Sequence, residues 1–171
     1  DQMIIQDDWS KSMPFVKQSL GDLRKELGSS AAVLGFVGLP YTMATYLVEG
    51  GTSKEYLEIK KMMYSSPEIL HKMLETLAEN IGNYANYQVE AGAHIIQIFD
   101  SWAGHLAPDD YDIFALPYQK MVVDAIKAKH PDVRHPDNPP CPPLPRCAIM
   151  PLRNGINNRR QCSPRESQSE P

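Results

Sequence analysis

Two short apolar runs, residues 31–36 and 94–99, do most to limit what this chain can fold into, because a long amphipathic stretch leads into each of them. Runs this short, ending in turn-forming or polar residues, read as buried strands. A helix leads into each strand, and further helices lie between the two. Parallel strands need such long crossovers, so the pattern predicts successive β/α units in an α/β fold.

The helical stretches can be read in more detail. Met13, Phe15, Val16, Leu20, Leu23 and Leu27 recur at three- and four-residue intervals, which predicts a helix over 12–27, with Ser12 as cap and Gly28 as stop. Residues 53–64 read as a further helix. Ser65 with Glu68 three positions on predicts a capping box. The long helix it opens has an inner face of Ile69, Leu70, Met73, Leu74, Leu77, Ile81, Tyr84, Ala85 and Gln88, and it stops at Gly92. The last helix spans 108–129 with Phe114, Tyr118, Val122 and Ile126 inward, and Pro117 is where it would bend or split.

Each strand runs out into residues suited to a site. The first breaks at Gly38 and Pro40, so the stretch to Gly51 reads as a loop carrying Phe36, Tyr41, Thr42, Thr45 and Tyr46. The second ends in Asp100 and Ser101, followed by Trp102 and His105. Ligands in α/β folds collect at the carboxyl ends of strands. Asp100 reads as a cap for the turn that follows it, and Glu49 as a cap or ion-pair partner. His94 reads as a packing histidine and His71 as a solvated one.

Composition divides the chain near residue 131. All fourteen aromatic residues lie at or before Tyr118, while ten of the fifteen prolines and all three cysteines lie from Pro131 onward. Basic residues change type at the same place: ten Lys and one Arg before it, six Arg and no Lys after it. Dense proline blocks both helix and sheet pairing, so 134–171 reads as a disordered tail. His130, His135, Cys141 and Cys147 fit no common zinc spacing. A net charge of −4, with sparse tail arginines and no interleaved aromatics, argues against nucleic acid as a partner. No apolar run is long enough to span a bilayer, which argues against a membrane role. No Walker loop or dinucleotide fingerprint occurs.

The two strand ends together resemble the uroporphyrinogen decarboxylase family. Its Gly-Phe-small-small-x-Pro-aromatic-Thr-x-x-x-Tyr pattern is matched at 35–46, with Tyr41 where Trp is commoner and Met43 where Leu or Val is commoner. Its Gln-Ile-Phe-Asp-Ser-Trp-Ala-Gly segment stands at 97–104, and a Leu-Pro-Tyr follows at 116–118. The resemblance covers about 14–133. It implies that 1–133 is an interior portion, two to three units, of a (β/α)8 TIM barrel, with 134–171 unrelated to the family. It also implies the decarboxylation of four acetate arms of uroporphyrinogen to give coproporphyrinogen, without metal or organic cofactor, by a homodimeric enzyme. The location implied is the chloroplast stroma in a photosynthetic eukaryote and the cytoplasm elsewhere.

Carried over residue by residue, Tyr46 is the catalytic candidate. Phe36, Tyr46 and Ser101 are the substrate contacts: Phe36 a wall against the macrocycle, Ser101 a hydrogen-bond partner for a side-chain carboxylate. The family's acidic residue for the pyrrole NH groups and its carboxylate-binding arginines lie ahead of the matched stretch, and a family histidine lies beyond it. The chain alone is therefore expected to be inactive. Two other readings stand beside this one: a non-catalytic product that at most binds an intact partner, and a related barrel methyltransferase. The absence of cysteine before residue 141 counts against the methyltransferase.

Overall fold

The computed structural model describes residues 3–51 and 55–131 and, by its backbone, the strand 148–151. In chain order the elements are α1 (Trp9–Ser12), α2 (Pro14–Leu27), β1 (Leu34–Gly38), α3 (Pro40–Glu49), α4 (Leu57–Ser65), α5 (Pro67–Glu90), β2 (Ile95–Phe99), a 3-10 turn (Ala103–His105), α6 (Pro108–Phe114), α7 (Leu116–Lys129) and β3 (Ala148–Pro151). The strands form one parallel sheet in the order β1-β2-β3. Leu34 lies opposite Ile95 and Gly38 opposite Phe99. The expected pair of adjacent parallel strands is present, within a mixed α/β chain that is mostly helical.

Proline marks the start of five of the described helices. Pro14, Pro40, Pro67 and Pro108 are the first residues of α2, α3, α5 and α6, and Pro117 is the second residue of α7. The first helical N–H groups have no partner within the helix, so a residue lacking one costs nothing there. Pro117 therefore splits the expected 108–129 helix into α6 and α7, joined at Ala115.

The core lies between one face of the sheet and helices α5 and α7. Leu70, Leu74, Leu77, Ile81 and Ala85 of α5 meet Val37, Ile96 and Ile98 of the strands and Val122 and Ile126 of α7. Helix α5 closes as expected at Gly92 (φ 121°), where Gly92 N–H donates to Val89 and Ala93 N–H to Gln88. That pair of bonds satisfies carbonyls the helix leaves open. Gly35 leaves room for a side chain of α5 against β1. A Cβ there would lie 2.6 Å from Gln88 Oε1 and 2.9 Å from Ile96 Cδ1.

Several local expectations are corrected. The stretch after β1 is not a loop: Pro40–Glu49 is a helix, because Pro40 sits where its missing N–H is harmless and a distant carboxylate caps the helix start. The first strand starts three residues later than expected and ends two later, and α4 starts at Leu57, with residues 53 and 54 outside the described part. No capping box forms at Ser65, which ends α4; α5 is preceded by Ser66, whose side chain makes no cap bond. Ser12 ends α1 instead of capping α2. Phe15, Leu23 and Ile69, expected to face inward, are exposed. The expectation of a structureless tail meets β3, which pairs parallel with β2 from Ile95 to Ile98. The rest of 134–171 lies outside the described residues.

Candidate active site

Side chains alternate across β1. Gly35 and Val37 turn toward the helices, while Leu34 and Phe36 stay exposed on the open face of the sheet. Phe36 is 63% exposed and meets the edge of Phe99, at the end of β2, with ring centroids 6.2 Å apart. Tyr46 projects from the second turn of α3 and is 39% exposed. Its ring meets Trp102 edge-on at 5.8 Å. Ser101 is exposed in the turn directly after β2. Phe36 thus meets the last residue of β2, and Tyr46 meets Trp102, the residue that follows Ser101.

Asp100 sets this arrangement. It is 7% exposed, and its Oδ1 accepts from Thr42 N–H (3.0 Å) and Thr42 Oγ1 (2.7 Å), while Oδ2 accepts from Gln119 Nε2 (2.7 Å). Thr42 Oγ1 accepts in turn from Trp102 N–H at 3.2 Å, and Gln119 Oε1 accepts from Tyr111 OH at 2.8 Å. Thr42 is the third residue of α3, whose own cap residue, Leu39, offers no side-chain acceptor. Asp100 therefore caps α3 from the end of β2, not the turn that follows it, and a carboxylate is favoured at a helix start. Burial pushes the Asp100 carboxyl up from its ordinary value, and the hydrogen bonds from Thr42 and Gln119 pull the other way.

Sequence reading passed over an aromatic stack beside Tyr46. Tyr56 packs on Trp102 (5.0 Å) and on His105 (4.9 Å). Its φ of 54° is a left-handed conformation rare for a bulky residue. Tyr56 precedes α4, and Glu49 Oε1 caps that helix by accepting from Glu58 and Ile59 N–H at 2.9 and 3.0 Å, in keeping with the capping role read for it. Tyr41 points away from the site into the core, its hydroxyl 3.6 Å from Met63 Sδ, and burial raises its pKa.

His94 and His71 lie away from this stack, unlike His105. His94 is buried, and its Nδ1 accepts from Val33 N–H at 2.9 Å while Nε2 meets the Arg24 guanidinium. Burial, then the Arg24 charge, lowers its pKa. This is the packing role expected of it. His71 corrects its solvated reading: it stacks on Phe114 at 4.9 Å and hydrogen-bonds Tyr118 OH. Among the described residues no helix is long and apolar enough to cross a membrane.

The uroporphyrinogen decarboxylase family model matches residues 1–137. The chain belongs to this family. A uroporphyrinogen decarboxylase of Synechococcus sp. (strain CC9605) is 59% identical over 123 residues, covering 72% of this chain and 35% of the relative. That of Parasynechococcus marenigrum (strain WH8102) is 58% identical over 123 residues, with the same shares, and that of Prochlorococcus marinus (strain MIT 9215) is 55% identical over 123 residues, covering 72% and 36%. The chain spans about a third of the length of the curated relatives it matches.

Proposed function

We propose that this chain carries two to three β/α units from the interior of a uroporphyrinogen decarboxylase (β/α)8 barrel. In the complete protein these units would supply part of the site that converts uroporphyrinogen to coproporphyrinogen. The observation that carries this reading is the meeting of Tyr46 with the Ser101–Trp102 turn across the ends of two adjacent parallel strands.

The chemistry asks for few protein groups. A ring carbon next to an acetate arm takes a proton, and the pyrrole becomes a cation able to accept electrons. The bond between the arm's methylene and its carboxylate breaks, CO2 leaves, and the electron pair flows into the ring. Protonation of the methylene then gives the methyl group, and loss of the proton first added to the ring carbon restores the neutral pyrrole. No redox or metal step is needed, so the reaction runs without a cofactor. Tyr46 donates a hydrogen bond to a substrate carboxylate as charge shifts, Ser101 binds another side-chain carboxylate, and Phe36 lies against the macrocycle. The functional unit is a homodimer, in plastids of photosynthetic eukaryotes and in cytosol elsewhere.

The assay is coproporphyrinogen formation. Tyr46→Phe in the complete protein is expected to lower kcat about a hundredfold, the scale of losing one preorganised donor. Ser101→Ala is expected to raise KM more than it lowers kcat. An unchanged kcat in Tyr46→Phe removes the catalytic assignment. The 171-residue chain alone is expected to show no turnover, and measurable turnover would overturn that expectation.

A further inference from the structure

One buried side chain is tied to both halves of the proposed site. Thr42 is 5% exposed and lies in the first turn of α3, with Tyr46 four residues on. Residues at that spacing share a helix face. Ser101 stands in the turn after β2, between Asp100 and Trp102. The Thr42 hydroxyl holds both of those neighbours. Its Oγ1 donates to Asp100 Oδ1 at 2.7 Å and accepts from Trp102 N–H at 3.2 Å.

Trp102 carries the tie back to Tyr46. Its ring meets Tyr46 edge-on at 5.8 Å and packs on Tyr56 and His105. Its indole N–H is buried and meets no acceptor among the described residues, so packing and the backbone place the ring. The contacts close a loop. The Thr42 hydroxyl holds the Trp102 backbone, the Trp102 ring meets the Tyr46 ring, and Tyr46 stands one turn along α3 from Thr42. The other buried threonine of α3 spends its hydroxyl locally: Thr45 Oγ1 donates to Tyr41 C=O at 2.8 Å, within the helix itself.

We infer that Thr42 is a positioning residue: its hydroxyl clamps the turn that bears Ser101 to the helix that bears Tyr46, and so fixes the two substrate contacts relative to each other. The inference rests on the decarboxylase reading above. A hydroxyl offers one donor and two acceptor positions, and the clamp uses it in both senses. Serine keeps both functions and valine has neither. The cap of α3 is separate, because the donor to Asp100 there is the Thr42 backbone N–H, which valine retains. A displacement of about 1 Å at a reacting group can cost a hundredfold in rate. A loosened clamp should therefore show in kcat while α3 stays capped.

The test is a mutant cycle in the complete protein, read by coproporphyrinogen formation, beside hydrogen exchange of the 171-residue chain. Thr42→Val is expected to lower kcat about tenfold and to speed exchange of the Trp102 amide about tenfold. Thr42→Ser should keep the parent values of both, and Thr45→Val should move neither. In a Tyr46→Phe background, Thr42→Val should lower kcat less than about twofold further, because it acts through Tyr46. Additive losses, an unchanged Trp102 amide, or an equal loss in Thr45→Val would each overturn the inference. Should Thr42→Val fail to fold, Trp102→Phe carries the same cycle, since it forfeits no hydrogen bond of the indole; additive losses there overturn the inference equally. An unchanged kcat in Tyr46→Phe alone counts against the catalytic assignment instead. The clamp is then read on Ser101: Thr42→Val should raise KM and add nothing to Ser101→Ala, and additive effects on KM would overturn it.

Discussion

Two polar ties of the sheet differ in kind. Just past the carboxyl end of β2, Asp100 binds three donors on two helices, α3 and α7, and Thr42 extends the tie to Trp102. Along the edge of β1 that faces away from β2, one Gln88 amide serves one residue, Phe36. The first tie is a network with no solvent to replace it; the second closes an edge that water can reach. A buried donor left without its acceptor costs its full desolvation, whereas one at an open edge finds water instead. The network should therefore be structural and the amide exchangeable. Asp100→Leu is expected to lower stability by about 3 kcal/mol, since it strands the Thr42 N–H and the Gln119 amide and removes the cap of α3. Urea unfolding checks it. A loss smaller than that of the edge variants below would break the comparison.

The edge itself can be probed from both partners. Gly35→Val forces a side chain against Gln88 and Ile96, where even a Cβ would come within 2.6 and 2.9 Å. Overpacking of this sort is expected to cost about 2 kcal/mol. Gln88→Leu keeps the volume and loses only the amide, and about 1 kcal/mol is expected because Phe36 then turns to water. Should Gln88→Leu cost as much as Asp100→Leu, the edge amide is as structural as the buried carboxylate.

The contrast also explains how much of the fold was legible. Val122, Ile126 and the inner face of α5 were readable because burial leaves a 3.6-residue rhythm in the sequence itself. The strand pair was readable because short apolar runs between helices have few other uses. Helix α3 was not. Gly38 and Pro40 look like breakers, and the group that caps the helix lies 58 positions away, just past the end of another strand. No local window holds both. The short strand β3 was hidden for a similar reason: Ala148–Pro151 sits in a proline-rich stretch, and only pairing with β2 makes it a strand. Phe36, Tyr46 and Ser101 could be named from the family pattern, but Tyr56 and Gln119, which brace their neighbours, carry no pattern at all. A bulky residue at φ 54° becomes apparent only in three dimensions.

The weakest expected effect sharpens the comparison furthest, because it puts the same job in two environments. Asp8 caps α1 as Asp100 caps α3, accepting from Ser10 N–H at 3.1 Å and pairing with Lys11 at 3.0 Å, but at the surface. Hydrogen bonds from Ser10 and Lys11 hold its pKa down at about 2, while burial raises that of Asp100. The two caps should then respond to pH with opposite sign. A lowered folded value means that the stability from Asp8 is present above the ordinary carboxylate value and lost as pH falls through about 2. A raised folded value means that the part of stability tied to Asp100 protonation is present in acid and lost as pH rises through that value. Unfolding of Asp8→Asn and Asp100→Asn beside the parent chain, from pH 2 to 7, reads both. The Asp8→Asn deficit should vanish toward pH 2, and the parent's stability relative to Asp100→Asn should decline as pH rises. Parallel slopes for the two variants would mean that the hydrogen bonds of Thr42 and Gln119, and not burial, govern the Asp100 carboxylate.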